Sequence, residues 1–136
     1  MKRVFIDTNA FIALYYRRDQ FHSLAADIHH ELLKDSDYIT SNYVIDETMT
    51  GLAMKSGHRE AVEFFENIKE SNFIDIIYIN DILEHEAFTV FKKYSDKEFS
   101  FTDCTSFIIM KHFKIKTAFT NDHHFEQMGF DALMKK

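Results

Sequence analysis

Apolar residues along the chain fall into blocks whose period changes from segment to segment. Val4-Phe5-Ile6 is a short continuous run cut off by Asp7-Thr8-Asn9, which predicts a buried strand over Arg3–Ile6 leading into a loop. Ala10-Phe11-Ile12-Ala13-Leu14-Tyr15-Tyr16 predicts a short helix. From Phe21 to Leu33 the apolar positions are Phe21, Leu24, Ala25, Ile28, Leu32 and Leu33, the spacing of one helical face. Tyr38-Ile39-Thr40 reads as a short strand. Asn42 to about Lys55 reads as a helix stopped at Ser56-Gly57. Arg59 to Lys69 forms another helix, with Ala61, Val62, Phe64, Phe65 and Ile68 on its apolar side. Phe73 to Ile79 is rich in β-branched and aromatic residues and predicts a strand. Asp81 to Tyr94 turns Leu83, Ala87, Val90 and Phe91 inward on a helix, and Ser100-Phe101-Thr102-Asp103 opens another that runs through Phe113. Thr117 to Thr120 is a strand, Asn121 to Met128 a loop with a helical turn, and Gly129 to Leu133 a last edge strand.

Strands alternating with helices imply βαβ units, hence an α/β fold with a mostly parallel sheet covered on both faces. No repeat, low-complexity tract or linker interrupts residues 1–136, which read as one domain. The composition, 46% hydrophobic with Phe 15, supplies a packed core and argues against disorder. Pro 0 and Gly 3 argue against a turn-dense all-β architecture. The lone Cys104 excludes an internal disulfide, and no apolar run approaches the roughly 20 residues that span a bilayer. Asp7 interrupts the N-terminal apolar run too early for a signal-peptide core, so the expectation is a soluble cytoplasmic protein with no membrane partner. A net charge of -6 points away from nucleic-acid binding by bulk electrostatics and makes the placement of the acidic groups decisive.

In parallel sheets ligands gather at the carboxyl ends of the strands, near the point where strand order reverses. Asp7 ends the first strand and Asp122 follows the strand Thr117–Thr120, so both belong to that edge. Asp103, in the first turn of a helix, can reach it too. Glu47 and its neighbour Asp46 lie on the helix after the second strand, and neither of their helical faces is decisively inward. Converging carboxylates suit hard divalent cations such as Mg²⁺ or Mn²⁺. Each also has a structural use. Asp7 and Asp122 are good caps or turn residues, and Ser100-x-x-Asp103 fits a capping box. Thr8 and Asn9 can orient Asp7 or bond the loop backbone.

In four places the sequence resembles the PIN-domain nucleases. Phe5-Ile6-Asp7-Thr8-Asn9-Ala10-Phe11-Ile12-Ala13-Leu14 is similar to the family's opening strand and loop, and Val44-Ile45-Asp46-Glu47-Thr48 to its second acidic element. Phe101-Thr102-Asp103-Cys104-Thr105-Ser106 resembles the third, and Phe119-Thr120-Asn121-Asp122-His123-His124-Phe125 the fourth. The resemblance runs from about Val4 to Phe130. It implies a three-layer α/β/α sandwich and metal-dependent endoribonuclease activity. It also implies a catalytic, metal-binding set of Asp7, Glu47, Asp103 and Asp122, with Glu47 rather than Asp46 in the second position. Thr120 resembles the hydroxyl position beside the last acidic residue. The chain's size is similar to that of VapC-type toxins, which implies a homodimer, an RNA substrate and a cognate antitoxin protein.

Other groups invite separate readings. His29-His30 lies on a polar helix side without zinc-ligand spacing and is expected to be solvated. His123 or His124, beside Asp122, is a weaker candidate for a substrate phosphate, and Cys104 is expected in the core. Arg17, Arg18, Lys55, Arg59, Lys92 and Lys93 can contact phosphates or be solvated charges; the sequence does not separate the two. The competing function is a catalytically inactive PIN-like module that binds RNA or protein, against which the intact acidic quartet argues. A receiver domain needs an acidic pair that is missing near Asp7, and a dehalogenase-type phosphatase needs Asp-x-Asp where this chain has Asp7-Thr8-Asn9.

Overall fold

Val4, Phe5 and Ile6 have no polar face, and a strand of that kind is stable only with neighbours on both edges and cover on both sides. The computed structural model, which describes residues 2–135, gives them such a place. The strands are β1 (Lys2–Ile6), β2 (Ser36–Ser41), β3 (Ile74–Ile77), β4 (Thr117–Phe119) and β5 (Asp131–Ala132). They form one sheet in the order β3-β2-β1-β4-β5, and every pairing is parallel. In register, Phe5 lies opposite Ile39 on one side and Ala118 on the other.

The helices are α1 (Thr8–Tyr15), α2 (His22–Leu32), α3 (Asn42–Lys55), α4 (His58–Glu70), α5 (Asp81–Lys93), α6 (Phe101–His112) and α7 (His123–Gln127). Right-handed crossovers put α1–α4 on one face of the sheet and α5–α7 on the other. The main packing partners fall into the same groups, α1 on α2 and α3, α3 on α4, and α5 on α6, while Tyr43 of α3 and Phe101 of α6 also meet between the groups. Phe11 of α1 meets Phe64 of α4 edge-on at 5.0 Å, while on the opposite face Phe107 of α6 meets Phe125 of α7 at 5.0 Å. This is the α/β/α sandwich expected from the sequence. Helix α6 is buried without a break from Cys104 to Met110. Its Thr105 and Ser106 hydroxyls both donate to the Thr102 carbonyl, so no polar group of that stretch is left bare. Cys104 sits in the core, as anticipated.

The departures from the sequence reading have local causes. The strand expected over Phe73–Ile79 shrinks to Ile74–Ile77, because it is an edge strand paired only with β2. Beyond it, the Ile79 amide donates to the Asn42 side chain at 2.8 Å instead of extending the ladder. Asp7-Thr8-Asn9 is not a loop: α1 begins at Thr8, directly off the strand. His29 is not solvated; its Nδ1 lies 2.6 Å from the Tyr38 hydroxyl and its ring stacks on that tyrosine, while His30 is exposed. Among the described residues, no helix is long and apolar enough to cross a membrane.

Candidate active site

The strand order turns back between β1 and β4: the chain passes from β1 to β2 and β3, then returns to the far side of β1. The carboxyl ends of β1 and β4 therefore diverge into loops that leave a crevice between them, and this is where α/β sheets take ligands. Asp7 is the residue after β1, and Thr120, Asn121 and Asp122 follow β4. The amino ends of α1, α3, α6 and α7 rise from the same side of the sheet. They bring Thr8, Glu47 and Asp103 with them and point partial positive charge toward the carboxylates. A cleft of about 320 Å³ lies there, lined by Asp7, Thr8, Asn9, Glu47, Asp103, Asn121 and Asp122 among others. The four acidic residues singled out in the sequence converge on it. Asp46 is exposed and does not line it.

Asp7 occupies the capping position of α1 but makes no side-chain cap, so the helix-cap reading does not apply. Its Oδ2 instead accepts hydrogen bonds from Thr120 Oγ1 at 2.9 Å and Asn9 Nδ2 at 3.1 Å. Asn9 Nδ2 also reaches Thr120 Oγ1 at 2.9 Å, and Asn9 Oδ1 receives the Asn121 amide at 2.9 Å. Thr120 Oγ1 in turn accepts the Asp122 amide at 3.1 Å. Asn9 and Thr120 thus stitch the loop after β4 to the start of α1, with Asp7 at the centre. Burial pushes the Asp7 carboxyl up to about 7; the Thr120 hydroxyl and Thr8 amide oppose the rise, and Asp103 and Asp122 add to it.

Asp103 and Asp122 do cap helices, and both still line the cleft. Ser100 and Asp103 form the reciprocal capping box, with the Ser100 amide donating to Asp103 Oδ2 at 3.0 Å. Asp122 Oδ1 accepts the His124 amide at 2.9 Å. Burial, and then the neighbouring Asp122, raise the Asp103 carboxyl above its ordinary range, against the Ser100 amide and His124. Glu47 is held from α1: Thr8 Oγ1 donates to its Oε1 at 2.8 Å. Gly51, one turn further along α3, lies against α1, where a Cβ would meet the terminal methyl of Ile12 at 2.7 Å.

Two further features complete the cleft. His124 turns inward over Phe99 and sets its Nδ1 3.1 Å from Asp122 Oδ1 and 3.5 Å from Asp103 Oδ2, between two carboxylates. His124, named with His123 in the sequence as a candidate for substrate phosphate, thus lies inside the acidic cluster. Asp122, His123 and His124 could also each offer a metal one ligand atom, all within 4.8 Å of one another. Asp19, Gln20 and Phe21 complete the outer wall, in a turn where Asp19 Oδ1 accepts the Phe21 amide at 2.8 Å.

The donor set fits a hard divalent cation. Four carboxylates line one small cleft, and burial raises at least one of them well above the ordinary carboxylate range, so a cation there would offset charge that burial penalises. A sequence profile of the PIN domain matches residues 4–131. The chain belongs to the PIN-domain family. It is 32% identical over 127 residues to the 23S rRNA-specific endonuclease VapC20 of Mycobacterium tuberculosis, across 93% of this chain and 95% of that protein. It is 35% identical over 114 residues to a VapC ribonuclease of Archaeoglobus fulgidus, covering 82% of this chain and 72% of the relative. The crystal structure of the mycobacterial VapC20, described as a sarcin–ricin loop cleaving toxin, superposes with a TM-score of 0.83 at 31% identity over 93% of this chain and 95% of that one. VapBC2 of Rickettsia felis, bound to a promoter DNA fragment, shares the fold with a TM-score of 0.69 at 13% identity, over 97% of each chain. The PIN-domain resemblance seen in the sequence is therefore correct.

Proposed function

We propose that this PIN-domain protein is a divalent-metal-dependent endoribonuclease, the toxin of a toxin–antitoxin pair, hydrolysing RNA phosphodiester bonds in the cleft between β1 and β4. The observation that carries the reading is the convergence of Asp7, Glu47, Asp103 and Asp122 on that cleft, in a chain whose relatives over nearly its full length are named as ribonucleases. These four carboxylates are the catalytic and metal-binding set, and Mg²⁺ or Mn²⁺ is the ion their oxygen donors suit. When bound, such an ion supplies Lewis acidity at the phosphate and a water nucleophile active at neutral pH.

The protein's own share is to build and hold the acidic frame. Thr120 and Asn9 fix the Asp7 carboxylate from one side, and Thr8 fixes Glu47 from the other. Burial leaves Asp7 holding its proton near neutral pH in the absence of a counter-charge, so cation binding and release of that proton are linked. The capping box at Asp103 and the N-cap bond at Asp122 commit one oxygen of each carboxylate to a backbone amide. A homodimer, a cognate antitoxin and a cytoplasmic location belong to the same proposal; the relative named a toxin supports the antitoxin. The inactive-module alternative has no missing carboxylate in its favour.

Incubation of the purified protein with a sarcin–ricin loop hairpin and with total ribosomal RNA tests the reading. Cleavage in Mg²⁺ or Mn²⁺, abolished by chelator and by Asp7→Asn, is the expected result. Intact RNA under every metal, or equal cleavage by Asp7→Asn, would overturn it.

A further inference from the structure

Next to the acidic cleft the surface holds a second concavity of about 410 Å³, lined by Tyr15, Tyr16, Arg17, Arg18, Lys55, Ser56 and Glu60. Lys55, the last residue of α3, lines both hollows. The connection between α1 and α2 also serves both: Arg17 and Arg18 face the second hollow, and Asp19, Gln20 and Phe21 face the first. This connection has a set shape. The Tyr16 amide donates to the Ile12 carbonyl at 2.8 Å, the Asp19 amide to the Tyr16 carbonyl at 3.0 Å, and His22 Nδ1 lies 2.7 Å from the Ala13 carbonyl.

We propose that this hollow is a backbone-phosphate subsite, in which Arg17, Arg18 and Lys55 hold the RNA strand as it leaves the cleft. The inference rests on the ribonuclease reading and extends it to how substrate is held. The sequence offers six basic residues for phosphate contact, and the structure separates them; Lys92, on α5, lines neither hollow. Arg59 is engaged by Glu63 at 3.2 Å, and Lys93 lies over the Tyr94 ring. Arg17, Arg18 and Lys55 are exposed and, among the described residues, make no ion pair. Two guanidinium forks and an ammonium around one concavity match a run of phosphates, since guanidinium binds phosphate oxygens bidentately and keeps its charge at any working pH. An acidic cleft repels RNA on its own, and in a chain of net charge -6 local positive charge beside it is what gives the strand a direction. Tyr15 is committed, with its ring edge-on to Phe64 and its hydroxyl taken by Asn67. Tyr16, half-buried against the core, also lines the hollow and adds an aromatic edge to it. Glu60 contributes negative charge to the same lining.

The test pairs binding with cleavage. Affinity for a fluorescein-labelled sarcin–ricin hairpin and for a labelled oligouridine is measured from about 50 to 200 mM salt, alongside KM and kcat for the hairpin. The proteins are wild type, Arg17→Ala/Arg18→Ala, Lys55→Ala, Glu60→Gln and the remote pair Lys111→Ala/Lys114→Ala. The subsite predicts that the arginine pair raises KM about tenfold with kcat within about twofold, and lowers the salt slope by about 1.4. Lys55→Ala should move both in the same direction by about half as much, and Glu60→Gln should tighten binding. The remote pair should leave both measures at wild-type values. Equal effects from the remote pair, or unchanged KM and slope in the arginine pair, would overturn the subsite while leaving the nuclease reading intact. Salt-dependent binding that needs Arg17 and Arg18, without cleavage by any protein in the set, would overturn the nuclease reading and leave the subsite standing.

Discussion

On the sheet side of the cleft Asp7 is buried and receives hydrogen bonds from Thr120 and Asn9, whereas on the helical side Glu47 stands exposed on α3 with the Thr8 hydroxyl as its side-chain donor. Both carboxylates face the same cleft, but their energetics differ. Burial sets the protonation of Asp7, so its charge is coupled to the stability of the whole sheet edge. Glu47 pays little desolvation, and removing its charge touches no core contact. The same chemical group can therefore be a stability liability on one bank and nearly neutral on the other, while both line the proposed site.

The largest effect that would break or sharpen this contrast is that of Asp7→Asn on the metal-free protein. Folding raises the Asp7 pKa from 3.8 to about 7, so between those values the native state keeps a proton that the unfolded chain has lost. The stabilisation is complete below pH 4 and disappears as pH rises through 7, and above that the wild type carries the cost of a buried charge. In chelator at pH 8, Asp7→Asn should be more stable than wild type by up to about 4 kcal/mol, and the gap should close by pH 4. Chemical denaturation across that range checks it. A gap independent of pH would remove the buried-charge account. A smaller effect is expected from Thr120→Val, which strips a donor from Asp7 and an acceptor from the Asp122 amide: a loss of about 1–3 kcal/mol and of about 10–100-fold in cleavage. Smallest in stability is Glu47→Gln, within about 0.5 kcal/mol of wild type, yet with cleavage lost as fully as in Asp7→Asn. If Glu47→Gln destabilised as much as Thr120→Val, the two banks would not differ as argued.

The same contrast explains how much was legible in the sequence. The β1 bank was readable because Val4-Phe5-Ile6 ending at Asp7, and Thr120-Asn121-Asp122 following a strand, place carboxylates at a sheet edge by chain order alone. Glu47 was not readable by periodicity. Asp46 and Glu47 are both exposed on α3, and what distinguishes them is the approach of α1 over Gly51, a tertiary contact between distant segments. His124 was singled out in the sequence, but its place between two carboxylates was not readable for a related reason: its ring lies over Phe99 and its Nδ1 near the carboxylate of Asp103, some twenty residues upstream. Strand ends read differently from helix starts as well. The polar triplet Asp7-Thr8-Asn9 looks like a loop, but Thr8 and Asn9 enter α1 at once because their side chains are used by Glu47, Asp7 and Asn121 rather than by the local backbone.

The central claim is that both banks together bind one kind of ligand, a hard divalent cation. Calorimetric titration of Mn²⁺ into wild type, Asp103→Asn and Glu47→Gln near pH 7, in two buffers of different ionisation enthalpy, tests it most directly. The account predicts Mn²⁺ uptake by wild type with proton release, and weaker uptake in both variants. Mn²⁺ binding of equal strength in all three proteins, or none in wild type, would contradict it.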